Sequence, residues 1–389
     1  MGPRERRIPA EMSAVLIHAD SIRSPDMRHA VPVAVPDPFL YVEQNGMRAA
    51  VVTAFEVPRI AAADPGIETI PPEEFGIDEL LAGGMSAAEA QLEVYTRACV
   101  RLGVRSAVVP ADFPLELAER LRASGVDLRV DRDLFESRRR SKNAAELAGL
   151  RRAQRACEAA LDVARAMLRS ADASGAVLLL ESEPLTCERI RVEIERVFSL
   201  HGVAADEIIV SHGAQTAVGH EAGSGPIAPG EPIVFDLFPR DRGTGMHSDM
   251  TRTYVVGEVP DELRRYQELC LEALQLAAAA VKPGVNGREL MRMVCDLFAG
   301  HGFPTPLTKQ PGEVLESGFY HGLGHGVGLD VHEKPALSRS GDNLVSGDVI
   351  TLEPGLYRAG YGGVRLEDIL VVTDDGAETV TRYPYGLAP

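Results

Sequence analysis

Residues 321–333 read HGLGHGVGLDVHE and are the most informative segment of the chain. Three histidines, His321, His325 and His332, lie within twelve residues, and the glycines between them let the backbone approach a ligand closely. The glycine spacing is not that of a dinucleotide-binding loop, and no apolar strand leads from the segment into a helix, so phosphate binding is disfavoured. A lone histidine is more often structural than a ligand, but three so close together predict a functional site.

Two pairs of acidic residues flank this segment on apolar strands. Asp236 ends the predicted strand IVFD, and Asp249 begins DMTRTYVVG 13 residues later. Glu353 and Glu367 hold matching places, 14 residues apart, in DVITLEP and GVRLEDILVV. Each alone is better interpreted as an exposed charge at a hairpin end. Strand alternation and the turn in each half would bring each pair side by side, and four clustered carboxylates repel unless cations neutralise them. The pattern therefore favours a metal site.

The order of predicted elements repeats along the second part of the chain. Two helices precede a strand pair, and two further helices precede a second strand pair. The predicted helices are one capped by Asn143, one at about 186–200, one at about 261–281 and one capped by Asn286, and the predicted strands are 233–236, 249–257, 348–354 and 363–372. Sequence identity between the halves is negligible, so the pattern alone predicts two related α/β halves that face each other across a shared site.

The first part of the chain, to about residue 137, is typical of a small α/β unit. Asn45-Gly46 predicts a hairpin, and Ser86-x-x-Glu89 predicts a capped helix that continues to about Leu102. Strands SAVVP and DLRV flank a helix at 114–124. Carboxylates, histidines and phosphate-binding glycines are not gathered here, so we expect this part to shape and cover a site that lies elsewhere.

Bulk composition limits the classes of partner. The 389 residues are 45% hydrophobic and 25% charged, which is typical of a globular protein of two domains. A formal charge of −17 argues against nucleic-acid binding, which requires clustered Lys and Arg. The basic run 138–142 could form such a cluster, but without interleaved aromatic residues it is better interpreted as a solvated linker.

The cysteines and the N-terminal sequence point to a cytoplasmic chain. Five scattered cysteines without a CxxC pair predict reduced thiols. The sequence MGPRERRIPAEM lacks the apolar core of a secretion leader, and Arg6 stands where a myristoylation signal has Ser or Thr. Uncharged apolar runs stay shorter than the ~18 residues that span a bilayer, so we expect no membrane association.

Residues 321–333 resemble the signature of the Xaa-Pro peptidases, prolidase and aminopeptidase P, which are relatives of methionine aminopeptidase. DMTRT, TLEPGLY and GVRLED resemble the other metal-site motifs of this family, in the same order. The resemblance covers about 140–389, and the preceding segment resembles a creatinase-like domain more loosely. It implies an α+β fold in which a pita-bread catalytic domain of two pseudo-twofold related halves, residues 138–389, follows a smaller creatinase-like α/β domain, residues 1–137.

The same resemblance implies a set of metal ligands. Asp236 would ligate one divalent ion, His325 and Glu353 would ligate a second, and Asp249 and Glu367 would bridge the two. Four carboxylates and one imidazole favour Mn²⁺, with Co²⁺, Zn²⁺ or Fe²⁺ as alternatives. Two such ions would hold a bridging hydroxide as the nucleophile.

Further residues are implied in catalysis and substrate binding. Glu353 would move the proton of the hydroxide to the leaving amine, and His332 would contact the scissile carbonyl. His220 matches a histidine that contacts substrate. His321 lines the same pocket, and Arg365 would orient a carboxylate. Apolar walls for a proline ring could come from the tyrosines at 320, 357 and 361.

The resemblance thus implies a homodimeric peptidase that cleaves the bond before proline, in Xaa-Pro dipeptides or at the N-termini of short peptides. The loop from Asp236 to Asp249 is longer than is usual in the family, Met246-His247 replaces a large aromatic residue, and the usual Pro-His-Gly around His220 is missing. An aminopeptidase or C–N hydrolase without proline specificity is therefore an alternative. A non-catalytic binding module is a weaker one, because all five ligands are present.

Overall fold

The structure, a computed structural model, describes residues 13–389. The chain divides into two compact units between Arg139 and Arg140. The N-terminal residues used above to assess a leader and a lipid anchor, 1–12, lie outside the described residues. No helix within residues 13–389 is both long enough and apolar enough to cross a bilayer.

The first unit contains one mixed sheet with helices around it. Its strands are β1 Ala14–Ala19, β2 Phe39–Gln44, β3 Met47–Val51, β4 Glu68–Ile70, β5 Ser106–Val109 and β6 Asp127–Val130. Its helices are α1 Pro25–Ala30, α2 Val57–Ala63, α3 Ile77–Ala82, α4 Ala87–Arg101, α5 Leu115–Ala123 and α6 Arg132–Arg140, with a 3-10 helix at Pro72–Phe75. The sheet order is β4-β3-β2-β1-β5-β6.

Local signals in the sequence account for much of this unit. The predicted hairpin is confirmed: β2 and β3 pair across Asn45 and Gly46, both of which have positive φ. The predicted capping box at the start of α4 is confirmed as well. Leu16 and Ile17, neighbours on β1, belong to different buried clusters, so the sheet is covered on both faces.

The interpretation of residues 138–142 as a solvated linker is wrong. Arg139 forms an ion pair with Asp26, and Lys142 forms one with Glu333. The Lys142 and Glu333 side chains are only 2% and 1% exposed. The physical reason is that these charges are neutralised by acids far away in sequence, which local composition does not reveal. The basic run is neither free nor available to phosphate.

The second unit contains two helix-and-strand sets in succession. The first set is α7 Ala144–Ser170, β7 Leu179–Leu180, β8 Glu183–Pro184, α8 Cys187–Leu200, β9 Val203–Ala204, β10 Ile209–His212, a 3-10 helix Gly213–Ala217, β11 Ile233–Leu237, β12 Arg240–Asp241 and β13 Met250–Tyr254. The second set is α9 Asp261–Ala280, α10 Gly287–Gly300, β14 Gly324–Gly326, β15 Glu333–Leu337, β16 Val349–Leu352, β17 Gly355–Arg358, β18 Gly362–Arg365, β19 Asp368–Val372 and β20 Ala377–Thr379.

Each set has its own apolar core. In the first half, α7 and α8 contribute to one buried cluster with the sheet β10-β11-β13. In the second half, α9 and α10 contribute to another with strands of the sheet β15-β14-β16-β19-β20 and of the hairpin β17-β18. The predicted order of two helices and a strand pair, given twice, is confirmed.

The prediction of one continuous strand at 363–372 is wrong. The segment contains two strands in different sheets, since β18 pairs with β17 and β19 pairs with β16. Between them the chain crosses to the first half, where the Glu367 amide donates to the Thr251 carbonyl at 3.1 Å. Every residue from 362 to 372 is buried. Burial therefore continues without interruption across the crossing, even at the charged residues Arg365, Glu367 and Asp368.

Candidate metal centre

The first half places two carboxylates on one strand ladder. Asp236 lies in β11 opposite Thr251 of β13, and Asp249 immediately precedes β13. Because alternate residues of a strand share a face, Asp249 and Thr251 lie on the face that also carries Asp236. Both acids are buried, with exposures of 9% and 4%. The antiparallel register alone is enough to bring them together.

The second half places its three candidate ligands at strand ends and in a short edge segment. Glu353 follows β16 directly and Glu367 precedes β19, and the last ladder pair between these strands is Leu352 with Asp368. The two glutamates therefore meet one position beyond the ladder. His325 lies in β14, whose Gly326 pairs with Ile350 of β16.

All nine residues predicted for the site line one cavity of about 800 Å³. We call it the metal-facing cavity. These residues are His220, Asp236, Asp249, His321, His325, His332, Glu353, Arg365 and Glu367. Their sequence positions span nearly 150 residues and both halves, and the fold brings them to one cavity.

His325 is central among the carboxylates. Asp249, His325 and Glu367 each offer one ligand atom, and these atoms lie within 4.8 Å of one another. His325 Nε2 is also 3.8 Å from Glu353 Oε1. The Nδ1 atom of His325 is 3.0 Å from the Gly326 carbonyl oxygen, which can only accept, so Nδ1 carries the proton. The lone pair on Nε2 is thus directed at the carboxylates and free to bind a cation.

Burial shifts the titration of this cluster. Desolvation, then repulsion from Glu367, raises the pKa of Asp249 and of Glu353 well above the usual range. Desolvation, then Asp236, raises the pKa of Glu367 to about 7. Burial, then His332, lowers the pKa of His325 to about 4, so its imidazole is neutral near pH 7. The carboxylates can all be ionised together only when additional positive charge is present.

The residues present fit divalent metal ions. The Oδ1 atoms of Asp236 and Asp249 are buried without a hydrogen-bond partner, and a buried oxygen in that state is costly unless a cation binds it. Four carboxylates with one neutral imidazole form a hard, oxygen-rich donor set. The donor chemistry and the unpartnered oxygens thus both indicate a site for divalent metal ions.

Arg365 connects the ligands to a buried hydrogen-bond chain. Its Nη2 donates to Asp236 Oδ2 at 2.7 Å, and its Nη1 donates to the Tyr357 hydroxyl at 3.1 Å. The Tyr357 hydroxyl is 2.9 Å from His321 Nε2, while His321 Nδ1 is 2.7 Å from the Gly322 carbonyl oxygen. Since Nδ1 must donate to that carbonyl, Nε2 accepts from Tyr357. Burial, then Arg365, lowers the pKa of His321 to about 3.

Two histidines lie on the open side of the cavity. His220 and His332 line it, and both are exposed. The His332 ring packs edge-on against His325 with 4.3 Å between centroids. Burial of part of its ring lowers the pKa of His332, which keeps the imidazole neutral near pH 7. These two side chains are accessible to a substrate, whereas His325 lies deeper.

Two nearby candidates for ligands are occupied elsewhere. Asp241 accepts from Arg152 Nη2 at 2.9 Å and from Thr244 Oγ1 at 2.7 Å. His247 places Nδ1 3.4 Å from the Phe238 carbonyl oxygen. These contacts hold the long loop between β11 and β13 and leave neither side chain directed at the metal-facing cavity.

Sequence reasoning missed several contributors to the site. The Thr251 hydroxyl donates to Glu367 Oε2 at 2.8 Å, and the strand pattern could have shown it, since Thr251 is two residues from Asp249. Phe238 lines the cavity two residues after Asp236, on the face that alternation assigns to it. Of the tyrosines expected as walls, Tyr320 lines the cavity, but Tyr361 packs against Arg358 instead.

Comparisons with known proteins agree with this geometry. The model of metallopeptidase family M24 matches residues 148–374. Over 201 residues the chain is 35% identical to the uncharacterized peptidase YqhT of Bacillus subtilis, covering 50% of this chain and 53% of that protein. Over 197 residues it is 34% identical to the Xaa-Pro dipeptidase of Pyrococcus furiosus, again covering 50% and 53%. The chain thus spans about half the length of the curated relatives it matches.

The fold extends beyond these alignments. The crystal structure of the prolidase from Pyrococcus horikoshii superposes with a TM-score of 0.76 at 24% identity, covering 97% of this chain and 96% of that one. This likeness confirms the α+β architecture that the family resemblance implied. The family model covers more than half of the chain, including both carboxylate pairs and the histidine segment. The chain therefore belongs to metallopeptidase family M24.

Proposed function

We propose that this chain is a dinuclear-metal peptidase that hydrolyses the bond before proline, in Xaa-Pro dipeptides and at the N-termini of short Xaa-Pro peptides. The observation that carries the proposal is the convergence of Asp249, His325 and Glu367 within 4.8 Å in a cavity that also holds Asp236 and Glu353. The relative from Pyrococcus furiosus is named an Xaa-Pro dipeptidase, which supports the substrate class.

The ligands divide between two ions. Asp236 would hold one ion, His325 and Glu353 the other, and Asp249 and Glu367 both. Mn²⁺ is the favoured ion, with Co²⁺, Zn²⁺ or Fe²⁺ as alternatives. When bound, such ions would lower the pKa of a nucleophilic water and polarise the scissile carbonyl.

The protein's own groups would then orient the substrate and move protons. The Glu353 carboxylate would accept a proton from the attacking water and deliver it to the leaving nitrogen. The neutral His332 ring would donate a hydrogen bond to the carbonyl oxygen as negative charge develops there. His220, also exposed at the cavity, would orient the peptide. Arg365 would hold Asp236 in position through the 2.7 Å contact.

The walls of the metal-facing cavity suit a proline ring. A bond to proline is a tertiary amide without an N–H, so the pocket needs apolar surface and no acceptor for that hydrogen. The apolar lining residues are Ile209, Val218, Phe238, Tyr320 and Val331. This surface supports proline preference over a general aminopeptidase activity.

A pair of dipeptide series tests the proposal. With Mn²⁺-loaded protein, we expect Ala-Pro and Met-Pro to be cleaved with kcat/KM at least about tenfold above Ala-Ala and Met-Ala, a difference of ~1.4 kcal/mol in transition-state binding. Equal rates on the two series would refute proline specificity and leave a peptidase. Absence of hydrolysis together with absence of bound metal would favour a binding module.

We also propose a cytoplasmic homodimer. The five cysteines are buried free thiols, which supports a reducing compartment. The homodimer follows only from the family resemblance. Cell fractionation tests the location, and light scattering after size-exclusion chromatography tests the dimer, which a monomer mass would refute.

A further inference from the structure

One buried arginine near the metal centre has no part in the chemistry proposed above. Arg252 lies in β13, directly after Thr251, and is only 1% exposed. Because successive strand residues face opposite ways, its side chain leaves β13 on the face opposite to Asp249 and Thr251. A cation buried in this way is costly unless charged and hydrogen-bonding partners surround it. The partners of Arg252 therefore indicate what it is for.

Every N–H of the Arg252 guanidinium has an acceptor. An arginine side chain offers five such donors, and here each nitrogen lies 2.8–3.0 Å from its acceptor oxygens. The acceptors are four main-chain carbonyl oxygens and one carboxylate, those of Thr251, Glu367, Tyr383, Pro384 and Asp368. A lysine, with three donors on one nitrogen, could not make this set of bonds. The guanidinium is therefore fixed in one position.

One of these bonds holds the main chain of Glu367. Arg252 Nη1 donates to the Glu367 carbonyl oxygen at 2.8 Å, while the Glu367 amide donates to the Thr251 carbonyl oxygen at 3.1 Å. Glu367 itself lies between β18 and β19, outside the ladders that those strands form. Its main chain is therefore held on both sides by consecutive residues of β13, and its carboxylate extends from that fixed point.

A stretch of chain far from the carboxylate motifs covers the guanidinium. We call residues 383–385 the covering segment. The Tyr383 and Pro384 carbonyl oxygens accept from Arg252, and the Tyr385 ring lies over the guanidinium, with 4.6 Å between Cζ and the ring centroid. A cation over an aromatic face is attracted to it, and more strongly when both are shielded from water. The covering segment thus holds Arg252 from the side opposite to Glu367.

Asp368 connects the covering segment to the same point of the main chain. Its Oδ1 accepts from Arg252 Nη2 at 2.8 Å, and its Oδ2 accepts from the Tyr385 hydroxyl at 2.6 Å. Asp368 follows Glu367 directly and is 3% exposed. A continuous series of contacts therefore runs from Tyr385 through Asp368 and Arg252 to the main chain of Glu367.

We infer that Arg252 is a positioning residue for the metal ligand Glu367, and that the covering segment holds Arg252 where this requires. A ligand shared by two ions must present both oxygens accurately, and groups behind the ligands control that placement. Arg252 acts on the main chain of its ligand, whereas Arg365 contacts a ligand carboxylate directly. The inference rests on the proposed role of Glu367 as a ligand of both ions.

The first experiment compares two tyrosines of the covering segment. The Tyr385 hydroxyl donates to Asp368 and the Tyr383 hydroxyl donates to Asp162, both at 2.6 Å. Tyr385→Phe and the matched control Tyr383→Phe each remove one such bond and keep the ring and the main chain. In full-length protein, Tyr385→Phe should weaken Mn²⁺ binding about three- to tenfold, whereas Tyr383→Phe should stay within about twofold of wild type. Competition with a chelator measures both.

Stability is measured separately, because a buried ion pair is by itself weak evidence for a stabilising role. Urea unfolding of the metal-free proteins should show similar losses of unfolding free energy for Tyr385→Phe and Tyr383→Phe. A purely structural role of the covering segment would change Mn²⁺ affinity in step with this loss, and therefore equally in the two variants. The inference requires the affinities to differ while the stabilities match.

The second experiment changes the arginine and keeps its charge. Arg252→Lys should weaken Mn²⁺ binding about 10- to 100-fold, since the bond to the Glu367 carbonyl depends on the guanidinium fork. Arg165→Lys is the control. Arg165 lies over the Tyr383 ring at 5.6 Å and donates to its hydroxyl at 3.5 Å, but within residues 13–389 it has no hydrogen bond to Glu367. We expect Arg165→Lys to bind Mn²⁺ as the wild type does.

The outcomes separate this inference from the proposed function. If the wild-type protein binds no Mn²⁺, the proposed metal centre fails and the inference fails with it. If the wild type binds Mn²⁺ but Tyr385→Phe and Tyr383→Phe lose equal affinity, the inference alone is overturned. Wild-type affinity in Arg252→Lys overturns it as well. If Arg252→Lys does not fold, the two phenylalanine variants, which each lack one hydroxyl, still decide.

Discussion

The two halves of residues 140–389 hold their ligands in different ways. In the first half, Asp236 and Asp249 share one face of the β11–β13 ladder, so ordinary strand pairing sets their positions. In the second half, Glu353 and Glu367 lie just outside the β16–β19 ladder, where no strand pairing fixes them. The second set must therefore be held by other contacts.

Those contacts join the two halves across the metal centre, and each half provides one of them. The Thr251 hydroxyl of the first half donates to Glu367 of the second, and Arg365 of the second half donates to Asp236 of the first. Each half orients one carboxylate of the other. The metal centre therefore depends on the packing of the two halves against each other, and neither strand pair forms it alone.

The largest effect is expected where one ligand serves both ions. Asp249→Ala should lose both ions and lower kcat/KM by about three orders of magnitude or more, because a shared ligand leaves neither ion with a complete set. Metal analysis after gel filtration measures the loss. Asp249→Asn, of nearly the same size, separates the charge from the volume. Retention of two ions by Asp249→Ala would contradict the ligand assignment.

A smaller effect, confined to catalysis, is expected at the cavity mouth. His332→Ala should keep both ions and lose about 10²–10³-fold in kcat, since the side chain would act on the carbonyl oxygen of the substrate and not on the metals. Parallel metal analysis and steady-state kinetics provide the check. An empty metal site in this variant would show that His332 is a ligand and that its assigned role is wrong.

The contacts between the halves predict a loss of metal affinity that is smaller than the effects of Asp249→Ala and His332→Ala. Thr251→Val keeps a similar shape but removes the hydroxyl that donates to Glu367, and should weaken metal binding about 10- to 100-fold. Thr253→Val is the matched control, because its hydroxyl bonds only the Arg365 backbone. Competition with a chelator measures both. If the two variants lose equal metal affinity, the hydrogen bond from the Thr251 hydroxyl to Glu367 makes no specific contribution to metal binding.

The smallest effects are expected at two buried cysteines, one in each half, that have similar surroundings. Cys157 and Cys270 are both buried, and their Sγ atoms lie 3.4 Å from the Leu237 carbonyl oxygen and 3.7 Å from the Val364 carbonyl oxygen. Burial raises the pKa of both thiols, so they stay protonated and unreactive at pH 8. Each Cys→Ala change should lower the free energy of unfolding by only about 1 kcal/mol.

Urea unfolding of the two alanine variants and thiol titration of the native protein provide the measurements for these cysteines. Both variants should remain fully metal-loaded, since neither thiol belongs to the centre. Rapid native modification of Cys157 or Cys270 would show that its half opens more readily than the structure implies.

Features encoded in short segments could be predicted from the sequence. The Asn45-Gly46 hairpin and the capping boxes at Ser86 and Asn143 are local patterns whose physics requires only neighbouring residues. Those predictions match the structure because hairpin turns and helix caps are decided within a few residues.

Features that depend on distant partners could not be predicted. The Lys142–Glu333 ion pair joins residues 191 apart. The strand break near Glu367 follows from a hydrogen bond that the Glu367 amide donates to the Thr251 carbonyl, 116 residues earlier. Charge and hydropathy along the chain do not reveal such pairs, because they arise only when the chain folds.

The number and position of bound ions test the account most directly. Crystals of the Mn²⁺-loaded protein, measured at the manganese absorption edge, should show two anomalous peaks per chain. One should lie beside His325 and Glu353 and the other beside Asp236, with Asp249 and Glu367 contacting both. A single peak, or a peak coordinated by Asp241 or His247 in place of Asp236, would contradict the dinuclear centre.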